Sequence, residues 1–206
     1  MILIPQKKNN FNLALSFDDY NPLNIKVAEM LERLGLKATF YIDTFYKESH
    51  NQIKQLHDMG HEIGGHTFQH PQDLRSIPIE EARSEILIGK TQIERITGVD
   101  CKSFAYPRGR FDDGIVGLVR DAGFIEARTT KILRTESDKP FERPATIHFY
   151  NGRPEYKGKG WKSWADFMLS DVKRNGGLYH CWGHAHELER DGLWEEVEEF
   201  LKTNFT

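Results

Sequence analysis

The stretch Gly60-His-Glu-Ile-Gly-Gly-His66-Thr-Phe-Gln-His70-Pro71 carries the strongest fold signal in the chain. Residues 61–64 predict a short strand, and two histidines four positions apart follow it. Histidines at that spacing lie on one face of a segment if it is helical, and can then bind one metal ion. Ligands placed after a strand are typical of parallel β/α folds, whose active sites form at the carboxyl ends of the strands.

Short apolar runs alternate with helix-length amphipathic segments on both sides of that stretch, as in an α/β protein with a parallel sheet. Strands are predicted at residues 11–17, 38–42, 61–64, 103–106, 124–127, 146–150 and 178–182. Helices are predicted at residues 24–34, 51–59, 79–97, 114–122, 161–174 and 194–202. No repeat or composition break divides the sequence, so one domain over residues 1–206 is predicted. About seven parallel strands predict a single-domain deformed (β/α) barrel, with a doubly wound open sheet as the alternative.

Composition and charge exclude several classes of function. The 206 residues carry a formal net charge of −3 and no Lys/Arg-rich run, which argues against binding to nucleic acid. The amino terminus lacks the apolar run of a signal peptide and no stretch is long enough to span a bilayer, so a cytoplasmic location is expected. Cys101 and Cys181 each lie in or beside a strand-like run, and two buried, reduced thiols are expected.

Two adjacent carboxylates, Asp18 and Asp19, stand at the end of the first predicted strand. Like charges so close together are costly unless a cation or a shared proton relieves them. The pair could also be a turn or helix N-cap, where aspartate is common. Asp19 together with His66 and His70 makes a set of two histidines and one carboxylate with open coordination positions. Such a set suits hydrolysis by Zn²⁺ and also oxygen chemistry by Fe(II).

The turn Tyr106-Pro107-Arg108-Gly109 ends another predicted strand. Pro107 has no N–H and Gly109 frees the backbone, so the turn can aim the Arg108 N–H into a cleft. A backbone N–H in that place could stabilise a developing oxyanion. Tyr106 and Pro107 are candidate substrate-binding residues at the same edge.

Three histidines cluster at the end of the last predicted strand, in His180-Cys-Trp182-Gly-His184-Ala-His186-Glu187. A histidine there could be the general acid that protonates a leaving amine. A strand would place His180, Trp182 and His184 on one face, but the glycine leaves the phase after it open. His184 is the candidate acid and His180 the alternative. His180 and Trp182 are also candidate substrate-binding residues.

Together these motifs resemble the NodB-homology polysaccharide deacetylase family, or carbohydrate esterase family 4, whose members de-N-acetylate chitin oligomers and peptidoglycan. Ser16-Phe-Asp-Asp19 resembles the family's T-F-D-D motif. Residues 60–71 are close to its long signature G-H-E-I-G/A-S/N-H-S/T-x-x-H-P. Residues 104–109 resemble the third motif, and the segment ending in His184 resembles the last. Nearly the whole chain is covered by the resemblance.

The resemblance implies a role for each matching residue. The positions of the ligands to one divalent metal ion are taken by Asp19, His66 and His70. Zinc is the expected ion, with cobalt, nickel and manganese as alternatives. Asp18 takes the position of the catalytic base.

The later motifs carry the remaining implied roles. The Arg108 N–H falls where the family builds its oxyanion hole, and His184 takes the place of the catalytic acid. Many members have an arginine in the third motif that orients the base, whereas this sequence has Ala105 there. Arg108, Arg110 or Arg128 could supply that charge from elsewhere in the chain.

The resemblance implies a metal-dependent hydrolase that removes an N-acetyl or other acyl group from an amino sugar or oligosaccharide. Its expected partner is a small carbohydrate or amide substrate, and the oligomeric state stays open. One rival is a cyclic-amide hydrolase of the allantoinase type on the same fold. A second is a carbohydrate-binding module with a decayed site. An Fe(II) oxygenase fits less well, because such enzymes normally have a β-rich fold.

Overall fold

The computed structural model describes residues 1–6, 11–135 and 138–206. Strands alternate with helices along this part of the chain. The strands are β1 (Ile4–Gln6), β2 (Phe11–Asp18), β3 (Thr39–Ile42), β4 (Glu62–Gly65), β5 (Ser103–Ala105), β6 (Glu126–Arg128), β7 (Ile147–His148) and β8 (Gly177–Gly183). The helices are α1 (Asn24–Arg33), α2 (Lys47–Asp58), α3 (Ile79–Thr97), α4 (Asp113–Asp121), α5 (Gly160–Asn175), α6 (Ala185–Arg190) and α7 (Trp194–Phe205).

Seven of the strands form one parallel sheet in the order β6-β5-β4-β3-β2-β8-β7, and β1 pairs antiparallel with β2. The sheet curls into a half-barrel, and residues 143–146 form hydrogen bonds to both β6 and β8. The Arg143 N–H donates to the Ala127 carbonyl of β6, and the Thr146 N–H donates to the His180 carbonyl of β8. The predicted deformed barrel with about seven parallel strands is confirmed, and the open doubly wound alternative is not adopted.

Strand β2 is the centre of the core. Leu13, Leu15 and Phe17 are fully buried, and so are Ala14 and Ser16 between them. Burial on both faces is typical of a central parallel strand, which is covered by helices on one side and by the barrel interior on the other. The strand therefore brings its last residues to the carboxyl edge of the sheet in a fixed position.

The differences from the sequence-based boundaries have local causes. The helix predicted at 79–97 has the observed bounds of α3, whereas α2 begins four residues before the predicted 51. Strand β1 was not predicted, because it is a three-residue edge strand that contains a proline. Helix α6 has only six residues and no apolar period to indicate it.

Cys101 and Cys181 are buried free thiols, as predicted. Among the described residues, no helix combines the length and apolarity needed to cross a membrane.

A buried histidine at the amino end of β4 is expected to make stability pH-dependent. Burial lowers the pKa of His61 to about 4, and its Nδ1 accepts the Ala38 N–H at 3.2 Å. The unfolded chain therefore binds more protons than the folded chain between about pH 6.5 and 4, so the free energy of unfolding falls as the pH falls through that window. The His61 share is about 1.4 kcal/mol per pH unit at most.

Chemical denaturation at pH 7 and pH 4.5 checks this expectation. His61→Asn keeps an acceptor near the Nδ1 position and should flatten the pH dependence by about 2 kcal/mol over that interval. The matched control is His57→Asn, at the half-buried end of α2. A pH slope equal to that of the unsubstituted protein in His61→Asn would contradict the prediction.

Candidate active site

A pocket of about 380 Å³ opens at the carboxyl edge of the sheet. This is the edge where parallel β/α folds assemble their active sites. Most of the polar residues singled out in the sequence lie in its wall. The wall is formed by Asp18, Asp19, His66, His70, Arg108, Thr130, His148, Tyr150, Arg153, Trp182, His184, His186 and Glu187.

Asp19, His66 and His70 converge on one point. The Nε2 atoms of His66 and His70 lie 3.3 Å and 3.4 Å from the Asp19 Oδ1. The Nδ1–H of His66 donates to the Ala105 carbonyl at 2.8 Å, which leaves its Nε2 lone pair facing the pocket. Among the described residues, the buried Asp19 Oδ1 has no hydrogen-bond partner. A zinc ion bound at about 2.0–2.2 Å from each ligand keeps the ligand atoms roughly 3.3 Å apart, so the three donors fit one divalent ion.

The two histidines do not lie on a helix, contrary to the geometry considered from their spacing. Residues 66–70 form a tight loop in which Thr67 and His70 have φ values of 71° and 53°. The His70 N–H donates to the Thr67 hydroxyl at 3.0 Å. These two left-handed residues turn the chain back, so that the His66 and His70 rings lie 4.8 Å apart. Such strained residues are common at functional sites.

Helix α3 holds this loop in place. The Glu85 carboxylate accepts the N–H groups of Phe68 and Gln69 at 3.1 Å and 2.7 Å. Gly89, one turn further along the helix, lets the loop backbone approach, because a Cβ there would lie 2.6 Å from the Thr67 carbonyl oxygen. The loop geometry thus depends on a carboxylate and a glycine that are distant in sequence from the histidines.

The electrostatics keep Asp19 ionised. Burial by itself would raise the pKa of Asp19, but the neighbouring imidazoles of His66, His184 and His70 outweigh it and lower the pKa. Asp19 also has a φ of 69°, which sets its carboxylate apart from that of Asp18. An ionised carboxylate beside two imidazoles is a donor set ready for a cation.

Asp18 is held by a different partner. Its Oδ2 accepts a hydrogen bond from the Arg128 Nη2, and both side chains are almost fully buried. The Arg128 guanidinium lies 4.5 Å from the centre of the Trp182 ring and 5.3 Å from that of Tyr41. Of the three arginines considered from the sequence, Arg128 at the end of β6 is therefore the one that contacts Asp18.

The other two arginines lie elsewhere. Arg108 lines the pocket with an exposed side chain and has a φ of 55°. The N–H groups of the two residues after it, Gly109 and Arg110, donate to the carbonyls of Tyr106 and Pro107. The Arg110 guanidinium donates to the Gln72 carbonyl at 3.2 Å on the surface.

His184 belongs to a second hydrogen-bonded group. Its Nδ1–H donates to the Glu187 Oε2 at 2.6 Å, and the His148 Nε2–H donates to the same oxygen at 2.8 Å. Burial by itself would lower the pKa of His184, but the bond to Glu187 and the charge of Asp18 outweigh it and raise the pKa. Burial lowers the pKa of His148 to about 4. The His184 Nε2 lies 3.9 Å from the Asp19 Oδ2, facing the metal-ligand cluster.

Not every predicted substrate-binding residue lines the pocket. Trp182 does, and its ring stacks on His148 at 3.8 Å between centres. His180 is buried below it, with its Nε2 2.8 Å from the Ser16 hydroxyl. Tyr106 is buried and donates to the Phe141 carbonyl, and Pro107 is buried as well. The wall of the pocket thus includes one of these four residues, Trp182.

Five residues of the pocket wall were not predicted as site residues, namely Thr130, His148, Tyr150, Arg153 and Glu187. Two of these, His148 and Glu187, belong to the hydrogen-bonded group of His184. Glu187 follows His184 by three positions, a spacing that brings their side chains together at the start of α6. That signal was present in the sequence. His148 gave no local signal, because only the pairing of β7 with β8 brings it opposite Trp182.

Comparisons with known proteins agree with this geometry. The profile of the polysaccharide deacetylase family matches residues 6–127. The peptidoglycan-N-acetylglucosamine deacetylase of Bacillus cereus is 32% identical over 120 residues, which are 57% of this chain and 43% of that protein. This chain therefore spans less than half the length of that relative.

Solved structures show the same fold. A family 4 carbohydrate esterase from Streptomyces lividans, in complex with acetate, superposes with a TM-score of 0.65 at 16% identity, covering 94% of this chain and 88% of that one. A CE4 family pseudoenzyme from Bacillus anthracis superposes with a TM-score of 0.58 at 18% identity, covering 93% and 62%. Because the family profile matches more than half of the residues, the chain belongs to the polysaccharide deacetylase family.

Proposed function

We propose that this protein is a metal-dependent hydrolase that removes the N-acetyl group from an amino sugar of an oligosaccharide. One observation carries the proposal. Asp18 and His184 flank the cluster of Asp19, His66 and His70, and each is held by its own partner, the base by Arg128 and the acid by Glu187. We also propose that residues 1–206 act as one domain, since β1 pairs with β2 and the α7 side chain Phe200 packs on Trp161 of α5.

Asp19, His66 and His70 would hold the metal ion, and zinc suits two imidazoles and one carboxylate. When bound, such an ion lowers the pKa of water and polarises a carbonyl group. The base, the oxyanion donor and the acid would be supplied by side chains and backbone amides of this chain.

Asp18 is suited to accept the proton of the attacking water. Its Oδ2 is bound by Arg128, whereas its buried Oδ1 has no hydrogen-bond partner among the described residues. The guanidinium keeps the carboxylate oriented. A carboxylate with one oxygen held by a hydrogen bond and the other without a partner can receive a proton without moving.

Arg108 and His184 complete the reaction. The left-handed conformation of Arg108 at the pocket wall supports the proposal that its N–H stabilises the oxygen of the tetrahedral intermediate. The Nδ1–H of His184 is engaged by Glu187, so the Nε2 is the atom that donates a proton to the departing amine. The carboxylate of Glu187 favours the protonated imidazole needed for that step.

The fold alone does not separate an enzyme from a binding protein, since it is shared with a pseudoenzyme. The complete set of base, ligands and acid favours hydrolysis over a decayed module. The allantoinase-type alternative differs in substrate, and the test therefore includes both substrate classes.

The test measures acetate release from N-acetylated chitooligosaccharides with the zinc-loaded and the chelator-treated protein. Zinc-dependent release of acetate is expected. Turnover of cyclic ureides alone would favour the allantoinase-type reaction, and binding of zinc and oligosaccharide without hydrolysis would favour the module.

His70→Ala is expected to weaken metal binding. Because loss of a group that only orients a metal ligand already costs about 10–100-fold in metal affinity, loss of a direct ligand should cost about 100-fold or more. Competition with a chromophoric chelator measures the zinc affinity. His186→Ala is the matched control, since His186 lines the same pocket but lies outside the cluster of Asp19, His66 and His70. Equal affinity in the two variants would contradict the assignment of His70.

A further inference from the structure

We propose that two arginines of the pocket wall bind a phosphate group that the substrate carries. They are Arg108 and Arg153, and with Thr130, which also lines the pocket, they form what we call the basic wall. The substrate of the reaction is then an N-acetyl amino sugar that bears a phosphate. The inference rests on the proposed function, and it adds the chemical class of the substrate and the residues that select it.

Thr130 joins the two segments that carry these arginines. The Arg153 Nη2 donates a hydrogen bond to the Thr130 carbonyl at 2.8 Å. Gly109, the residue after Arg108, packs so closely on Thr130 that a Cβ at Gly109 would lie 2.1 Å from the Thr130 hydroxyl oxygen. The turn that contains Arg108 and the loop that contains Arg153 therefore meet at one part of the pocket wall.

The Arg108 side chain is available to a ligand. It is exposed at the pocket, and among the described residues no hydrogen bond or ion pair engages its guanidinium. Burial and the charge of His66 lower the pKa of His70, and the Arg108 guanidinium adds to this effect. The Arg108 charge thus acts within the pocket, close to the metal-ligand cluster.

The Arg153 side chain is held in place but retains an unused donor. Its Nη2 bonds to the Thr130 carbonyl and also to the Glu155 carboxylate, the latter at 2.7 Å. Its Nε is buried and has no hydrogen-bond partner among the described residues, which is costly for a charged donor. The Glu155 side chain is 43% exposed, and an exposed ion pair contributes little. The charge of Arg153 is therefore still available to an anion in the pocket.

The carboxylates of the pocket do not neutralise the basic wall. Asp18 pairs with the buried Arg128, and Glu187 accepts N–H groups from His148 and His184. The remaining carboxylate of the pocket belongs to the proposed metal site. The two arginines of the basic wall consequently add positive charge that no group of the pocket cancels. Positive charge concentrated in a cleft attracts anionic ligands, whereas a neutral glycan has no group that requires it.

The geometry of two separate guanidinium groups favours phosphate over carboxylate. Arginine binds either anion through paired N–H groups. A carboxylate has two oxygens in one plane, which match a single guanidinium. A phosphate monoester has three free oxygens in a tetrahedral arrangement and a charge of about −1.5 to −2 at pH 7, so it can accept hydrogen bonds from guanidinium groups on two different segments.

The test compares deacetylation of N-acetylglucosamine, its 1-phosphate and its 6-phosphate by the zinc-loaded protein. One of the two phosphates is expected to exceed the neutral sugar in kcat/KM by about tenfold or more. This ratio should fall about tenfold in Arg153→Gln and in Arg108→Gln, a loss of about 1.4 kcal/mol for each. The matched control is Arg110→Gln, because the Arg110 guanidinium bonds to the Gln72 carbonyl on the surface, outside the pocket wall. Its ratio should equal that of the unsubstituted protein.

The dependence on ionic strength supplies a second readout. Salt screens exposed charges, so the preference for the phosphorylated sugar should weaken as the salt concentration rises. A purely structural role of the arginines would not produce this effect. Three results would overturn the inference. They are equal kcat/KM for the neutral and both phosphorylated sugars, a preference that persists in both arginine variants and so belongs to the metal ion, and a preference for N-acetylmuramic acid, a carboxylate, over both phosphates.

Titration calorimetry separates this inference from the proposed function. If the unsubstituted protein releases acetate from none of these sugars, the proposed hydrolysis fails, and binding to the zinc-loaded protein decides the role of the basic wall. Tighter binding of a phosphorylated sugar than of N-acetylglucosamine, weakened in Arg153→Gln but not in Arg110→Gln, would support the inference. Equal binding of the neutral and phosphorylated sugars, or binding of neither, would overturn it.

Discussion

Asp18→Asn is expected to lower kcat by about 10²–10⁴-fold, the range contributed by a general base. The asparagine cannot accept the proton of the attacking water. It preserves the shape of the side chain, and its oxygen can still accept the hydrogen bond from Arg128. Acetate release under saturating substrate measures the loss, and the zinc content should stay at one ion per chain.

The same variant also tests the division of roles between the two adjacent aspartates. Asp19 is the residue whose Oδ1 lies within 3.4 Å of both imidazoles, whereas Asp18 pairs with Arg128. Loss of zinc from Asp18→Asn would therefore show that the two assignments are reversed. Thermal unfolding of the apo protein checks that the variant still folds around the buried Arg128, since removing one partner of a buried ion pair can cost about 3–5 kcal/mol.

His184→Ala is expected to cost about 10²–10⁴-fold in kcat on N-acetyl substrates with zinc still bound. An amine is a poor leaving group and needs the proton that His184 supplies. A phenolate does not, so hydrolysis of 4-nitrophenyl acetate should fall far less. This difference between the two substrates is the signature of an acid and would not follow from a general loss of structure.

Two companion variants sharpen that test. Glu187→Gln keeps a polar partner for His184 but removes the charge that raises its pKa, so a smaller loss of about tenfold is expected on N-acetyl substrates. His180→Ala removes a buried contact with Ser16 and should show no dependence on the leaving group. A leaving-group dependence in His180→Ala that is absent in His184→Ala would assign the acid to His180.

Local patterns were sufficient for much of the fold. The spacing of apolar residues predicted the alternation of strands and helices along the chain. The bounds of α3 were predicted correctly, because nineteen residues of amphipathic sequence end at a glycine with a φ of 73°. Strand β7 was predicted too long, at 146–150, since only Ile147 and His148 pair with β8. An apolar run indicates that a segment is buried, but it does not show which of its residues pair with a neighbouring strand.

The sequence by itself determined which side chains could bind a metal and supply a base. Asp18 ends a strand, and Asp19, His66 and His70 follow strands. Because parallel strands bring their carboxyl ends to one edge, proximity in the fold followed from position in the chain. His184 was placed at that edge in the same way.

Only the tertiary structure decided which partners hold these groups. The curl of the sheet carries Arg128 at the end of β6 onto Asp18 of β2, although four pairings separate these strands in the sheet. His148 reaches Glu187 for a similar reason, through the neighbouring edge strand β7. A linear sequence specifies the order of strands along the chain, whereas these contacts depend on the order of strands in space and on the curl of the sheet.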